Sequence, residues 1–225
     1  MDVPSRKQNH MDSPQPASTR GRPRTITMER ITEAGIAIGL PNLTFVGLAG
    51  ALGVSQMALY KHLPGLGAVK RVVAEEMFRR WQIPQASGDE TTELKDYLLV
   101  FSDAVRVFVK EHPGATPYVL RRMAATQAMI DKIHAHQRHI AQAYGLPEAH
   151  AQWLLATVAF QCFAAAHTVY SVAGQEPTPE ADRATEQAEM EGELVQGMQA
   201  LVVGALALLP AGEPLTFTSR KPTGM

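Results

Sequence analysis

Residues 43–63, LTFVGLAGALGVSQMALYKHL, decide how this chain is read. The stretch divides into two short helices joined by a tight turn. Leu48, Ala49 and Leu52 form the apolar side of the first. Gly53 follows, a residue that tolerates positive φ, and Val54 plugs the corner. Ser55 is a good N-cap for the second helix, expected over Gln56 to Leu63. Leu59 and Leu63 lie four apart and face inward, whereas Gln56 shares a face with Tyr60, and Met57 with Lys61. Hydrogen-bonding and cationic side chains thus stand on a helix held by its apolar back. A helix-turn-helix needs that arrangement to enter a major groove.

The run from Gly53 to His62, GVSQMALYKH, resembles the recognition-helix signature of the TetR family of bacterial transcriptional regulators. Leu43-Thr44 and Leu48-Ala49 resemble that family's second helix, and Ile31, Ala34 and Ile38 its first. The resemblance covers roughly residues 22 to 80. It implies that Gln56, Met57, Ala58 and Tyr60 line the groove behind the Ser55 cap. A glutamine there can pair with an adenine edge, and Met57 and Ala58 can touch a thymine methyl. It places Tyr60 and His62 near phosphates, with Lys61 beside them. Thr44, opening the preceding helix, can offer a phosphate its hydroxyl and the helix's first amides. The chain departs from the pattern in two places. Phe45-Val46-Gly47 stand where many members carry an arginine or another polar residue, and Leu66 stands where a phosphate-binding lysine is common.

Charge is distributed to match. Residues 1–80 hold 11 Lys/Arg against 6 Asp/Glu, and residues 81–225 hold 10 against 16, so a net of +5 sits beside a net of −6. Such a split suits an N-terminal part that meets a polyanion. Residues 1–24 read as a disordered arm ending in Arg20, Arg22 and Arg24, separated by Gly21 and Pro23. An extended cationic arm of this kind can follow phosphates or enter a narrow minor groove.

Beyond the recognition helix the pattern is helical throughout, and the expected fold is all-α with about nine helices. They are expected near Thr27–Leu40, Thr44–Leu52, Gln56–Leu63, Leu66–Gln82, Thr92–Glu111, Pro117–Met123, Thr126–Tyr144, Pro147–Val172 and Glu180–Leu209. This divides the chain into an arm (1–24), a DNA-binding head (25–66), a helical body (67–212) and a tail (213–225). The last two long helices carry alanines and a leucine-rich stripe, and the resemblance implies that they pair two subunits into a homodimer. It also implies a small-molecule effector, held between the fifth and eighth helices. The candidate wall is Tyr97, Phe101, Phe108, Met123, Met129, Trp153, Phe160, Phe163 and His167, which suits a mostly hydrophobic molecule.

Other chemistries find little support. His134, His136 and His139 lack the i,i+4 spacing of a helical metal pair and read as a solvated polar face. Cys162, the single cysteine, excludes an intramolecular disulfide and lies in an apolar segment that disfavours a thiolate. There is no G-x-S-x-G and no phosphate-binding glycine loop, so no enzyme, cofactor or metal is expected. No apolar signal core is present, and Trp153–Ala173 reads as a buried helix rather than a membrane span, which points to the cytoplasm. The expectation is a dimeric, ligand-responsive DNA-binding repressor. The alternative is a helical interaction module without effector-controlled DNA binding.

Overall fold

The computed structural model describes residues 26–86, 93–120, 124–172 and 182–209. Nine helices lie within them: α1 (Met28–Ile38), α2 (Phe45–Leu52), α3 (Gln56–Tyr60), α4 (Leu66–Arg80), α5 (Leu94–Glu111), α6 (Thr116–Leu120), α7 (Gln127–Ala143), α8 (Glu148–Val172) and α9 (Arg183–Ala207). No strand occurs among the described residues.

Local chemistry sets most of the boundaries. The hydroxyls of Thr27, Thr44, Ser55 and Thr126 accept from amides in the first turns of α1, α2, α3 and α7, removing donors that would otherwise lack partners. Gly53 ends α2 at φ 68°, and Val54 N donates back to Ala49 O at 3.0 Å. That closing bond in the left-handed conformation is open to glycine at little cost. The third helix is shorter than expected. It stops at Tyr60, Lys61 and His62 form a turn, and the amides of His62 and Leu63 both bond to Leu59 O. Pro64 disfavours helical backbone at Leu63, so the helix does not resume before α4.

The head forms where α1 packs on α2 and α4, and α2 packs on α3. Contact between α1 and α4 is close. A Cβ built on Gly35 would lie 2.3 Å from Val73 Cγ2, so glycine is what lets the two backbones approach. Across this junction Arg80 bonds to both Glu33 of α1 and Glu76 of α4. Leu48, Leu59 and Ile31 are fully buried at the centre of the head.

In the body, α5 packs on α8 and α9, α8 on α7 and α9, and α4 on α6 and α7. The buried core runs unbroken from Ile31 in α1 to Ala205 in α9. By length and composition alone Glu148–Ser171 is long and apolar enough to cross a bilayer. Its packing supplies another reason for its apolarity: Leu154, Leu155, Val158, Cys162, Phe163 and Ala166 are all buried against neighbouring helices.

The α4–α5 connection is gripped from α7. Lys132 Nζ donates to the carbonyls of Phe78 and Arg79, both at 2.9 Å, and of Trp81, at 2.5 Å. One turn along, His136 Nε2 lies 2.8 Å from the Tyr97 hydroxyl, which itself donates to Pro84 O at 3.1 Å. Two residues on one face of α7 therefore hold both ends of segment 78–84.

Candidate nucleic-acid interface and helical body

The third helix of the head, α3, is displayed rather than packed away. Leu59 is fully buried and Leu63 nearly so, which seats α3 on the core. Ser55, Gln56, Met57, Tyr60, Lys61 and His62 are exposed on the other side, and Ala58 is half-buried. Met57 is 72% exposed. Tyr60 has two roles: one ring face stacks on Phe45 at 4.2 Å, and the side chain remains 50% exposed. That stack ties the last turn of α3 to the first turn of α2. Thr44 and Ser55 serve first as caps, through Gly47 N at 3.0 Å and Ala58 N at 3.2 Å. Their hydroxyl protons stay available to an acceptor. Lys61 and His62 sit on the turn after α3 rather than on the helix itself. Val46, on the second residue of α2, is 63% exposed. Arg20, Arg22 and Arg24 lie outside the described residues.

The residues expected to line an effector pocket do not form one wall. Tyr97 and Phe101 are buried with His136, whose ring stacks on Phe101 at 5.6 Å. Phe108 and Phe163 are buried with Trp81, at ring distances of 4.9 and 6.3 Å from it. Met129 is buried, and Trp153 and His167 are half-buried. Phe160 is 53% exposed on the outer side of α8 and lines no interior space. Met123 lies outside the described residues.

A cavity of about 250 Å³ opens instead between α5, α8 and α9, lined by Leu99, Ser102, Asp103, Arg106, Cys162, Leu194, Val195, Met198 and Gln199. None of the expected residues among those described lines it: Tyr97 and Phe101 pack with His136, and Phe108 and Phe163 with Trp81. Arg106 gives the cavity a charged side, donating to Asp103 and, at 3.0 Å, to the Tyr170 hydroxyl. Leu99 and Arg106 lie within the fifth helix expected from the sequence. Only the packing of α9 against α5 showed that they border an opening.

The histidine reading needs correction. His134 is exposed, His139 is half-buried, and His136 is buried rather than solvated. Tyr97 spends its proton on Pro84 O, so Nε2–H of His136 donates to the tyrosine oxygen. Its Nδ1 is buried without a hydrogen-bond partner. Burial above all, then the charges of His139 and Lys132, lowers its pKa to about 4. Among the described residues no group of three or more His, Cys, Asp or Glu could hold a metal ion. Cys162 donates its thiol to Ser102 O, and burial pushes its pKa up to about 12. That thiol is not a nucleophile near neutral pH.

An all-α chain with a capped, outward-facing helix-turn-helix ahead of a larger helical body defines the class. Comparison with solved structures makes the fold specific. TetR from Acinetobacter baumannii AYE superposes with a TM-score of 0.60 at 18% identity, over 82% of this chain and 98% of that one. A variant of it in complex with minocycline gives 0.60 at 20% identity, over 82% and 96%. A TetR from Streptomyces coelicolor gives 0.54 at 17%, over 81% and 99%. No family model matches the sequence. Among curated proteins, the HTH-type transcriptional repressor DrrR1 of Streptomyces coeruleorubidus is 32% identical over 75 residues, 32% of this chain. The match spans only 28% of that repressor's length. The fold of the described residues is that of the TetR regulators, matched over 82% of the chain.

Proposed function

We propose that this protein is a TetR-family transcriptional regulator that binds a palindromic operator as a homodimer and releases it on binding a small, mostly hydrophobic effector. The observation that carries the proposal is α3. It is capped by Ser55, anchored by buried Leu59, and turns Gln56, Met57 and Tyr60 outward. One such helix reads a few base pairs, and two related by a dyad read a palindrome and gain the affinity a regulator needs. The surface offered for pairing is the outer side of α8 and α9, where Phe160, Val195, Val203 and Leu208 are exposed. Small residues between them, among them Ala156, Ala200 and Gly204, permit close helix approach.

In this reading the division into arm, head, body and tail holds as proposed from the sequence, and the arginines of residues 1–24 supply phosphate contacts. The α5–α8–α9 cavity suits an effector with a largely apolar body and one polar group facing Arg106 and Asp103. The protein acts where its DNA is, in the cytoplasm, and performs no chemistry of its own.

Selection of bound duplexes from a random pool with the full-length chain tests the proposal. A palindrome with two half-sites about one helical turn apart is expected. Tyr60→Ala is expected to lose that binding while remaining a folded dimer. A pool that enriches no sequence, with the protein folded and dimeric, refutes DNA recognition and leaves the interaction module.

A further inference from the structure

The face that α2 and α3 turn outward carries no charge. From Ala34 to Tyr60 there is not one Asp, Glu, Lys or Arg. The nearest preceding cation, Arg30, has its guanidinium turned to Leu52 O at 3.2 Å. In place of charges, two aliphatic side chains stand in the open, Val46 at 63% and Met57 at 72% exposure. One amide, Gln56, is exposed beside them.

Each base edge in the major groove demands a different partner. Guanine shows two acceptors and is met by Arg or Lys, and cytosine shows a donor that an acidic side chain accepts. Adenine's donor and acceptor match a single amide. Thymine alone presents a methyl group, which needs only an apolar surface. A neutral face with one amide and two exposed aliphatics is therefore best matched to A·T pairs: it carries no Arg or Lys for the bidentate guanine contact, the nearest cation, Lys61, standing on the turn after α3.

Val46 is suited to this task beyond its exposure. A β-branched side chain in a helix holds essentially one rotamer, so it offers a fixed apolar knob. Its neighbour Phe45 is buried and stacked on Tyr60 at 4.2 Å, which locks the first turn of α2 to α3. Met57 is unbranched and polarisable, and adapts to the groove floor.

We propose that Val46 and Met57 read thymine 5-methyl groups, so that the contacted steps of each operator half-site are A·T pairs. This inference rests on the DNA-binding reading above and adds the chemistry of the site that is read.

Replacing thymine by deoxyuridine removes the methyl and leaves every hydrogen-bonding group in place. With the operator recovered from the random pool, each dT of a half-site is exchanged for dU in turn, and binding to the full-length chain is measured by competition at constant salt. At least one exchange near Val46 and one near Met57 is expected to weaken binding about fourfold per methyl, the effect of exposing a methylene-sized apolar group. Val46→Ala and Met57→Ala are each expected to abolish the uracil penalty at one position and leave it at the other. Both side chains are exposed, so neither change disturbs the core. Equal affinity for thymine and uracil at every position overturns the inference and leaves operator binding standing. So does a recovered half-site whose contacted pairs are G·C. A pool that enriches nothing overturns operator binding, and this inference with it.

Discussion

Replacing Lys132 by methionine tests whether α7 holds the end of α4. The methionine stem matches the lysine stem in length and shape, so packing is kept and only the ammonium is removed. That ammonium spends its three protons on Phe78 O, Arg79 O and Trp81 O, at 2.9, 2.9 and 2.5 Å. It also lies 5.5 Å from the centre of the Phe78 ring. The carbonyls belong to the last turn of α4, where a helix has unpaired acceptors and the negative end of its dipole. Burial and the nearby Arg79 lower the lysine pKa, so part of the gain is offset by desolvation. A hydrogen bond to a charged group contributes about 1.5–3 kcal/mol. The three share one donor, and water can reach part of the vacated site, so their sum is not expected. A net loss of about 2–3 kcal/mol is the reasoned figure, or roughly 5–10 °C in Tm for a chain of this size. Urea unfolding at fixed protein concentration, followed by circular dichroism and tryptophan fluorescence, measures it. The midpoint should fall with an unchanged slope. A loss below about 0.5 kcal/mol would refute the assignment of a holding role to Lys132.

Gly35→Ala should destabilise the junction of α1 and α4 by about 1–3 kcal/mol, since the added methyl meets fully buried Val73. A thermal melt unchanged or raised by the substitution would contradict that packing, and Val73→Ala in the same chain should recover part of the loss. His136 titrates near pH 4 in the fold and near 6.5 when unfolded. The unfolded chain therefore binds the extra proton between these values. Stability is fully present above pH 6.5 and falls as pH is lowered, by on the order of 3 kcal/mol at pH 4. His136→Gln should flatten that segment of the stability–pH curve, and an identical slope in both proteins would count against a buried neutral histidine. Phe160→Glu should convert the dimer to folded monomers in sedimentation, whereas a persistent dimer would move the interface away from the outer side of α8.

The head was legible because its determinants are local. Ser55 caps, Gly53 turns, and Leu48, Leu52 and Leu59 repeat at helical spacing, so neighbours in sequence decide the geometry. Most helix ends followed the same logic, set by caps such as Thr27, Thr44 and Thr126. The all-α class and the outward side of α3 could be stated from the chain alone. Tertiary packing decided the rest, because a periodic stripe reveals that a helix has an apolar side but not which neighbour covers it. His136 and His134 are two residues apart, yet one is sealed against Tyr97 and Phe101 and the other meets water, since α7 turns only one of them toward α5. Phe160 and Phe163 sit on the same apolar helix, but Phe163 faces Trp81 and Phe160 faces outward. The opening beside Arg106 exists only where α5, α8 and α9 meet. The grip of Lys132 on α4 joins residues more than fifty positions apart. Contacts of that separation depend on how rigid elements pack together, and sequence spacing within one element carries no information about them.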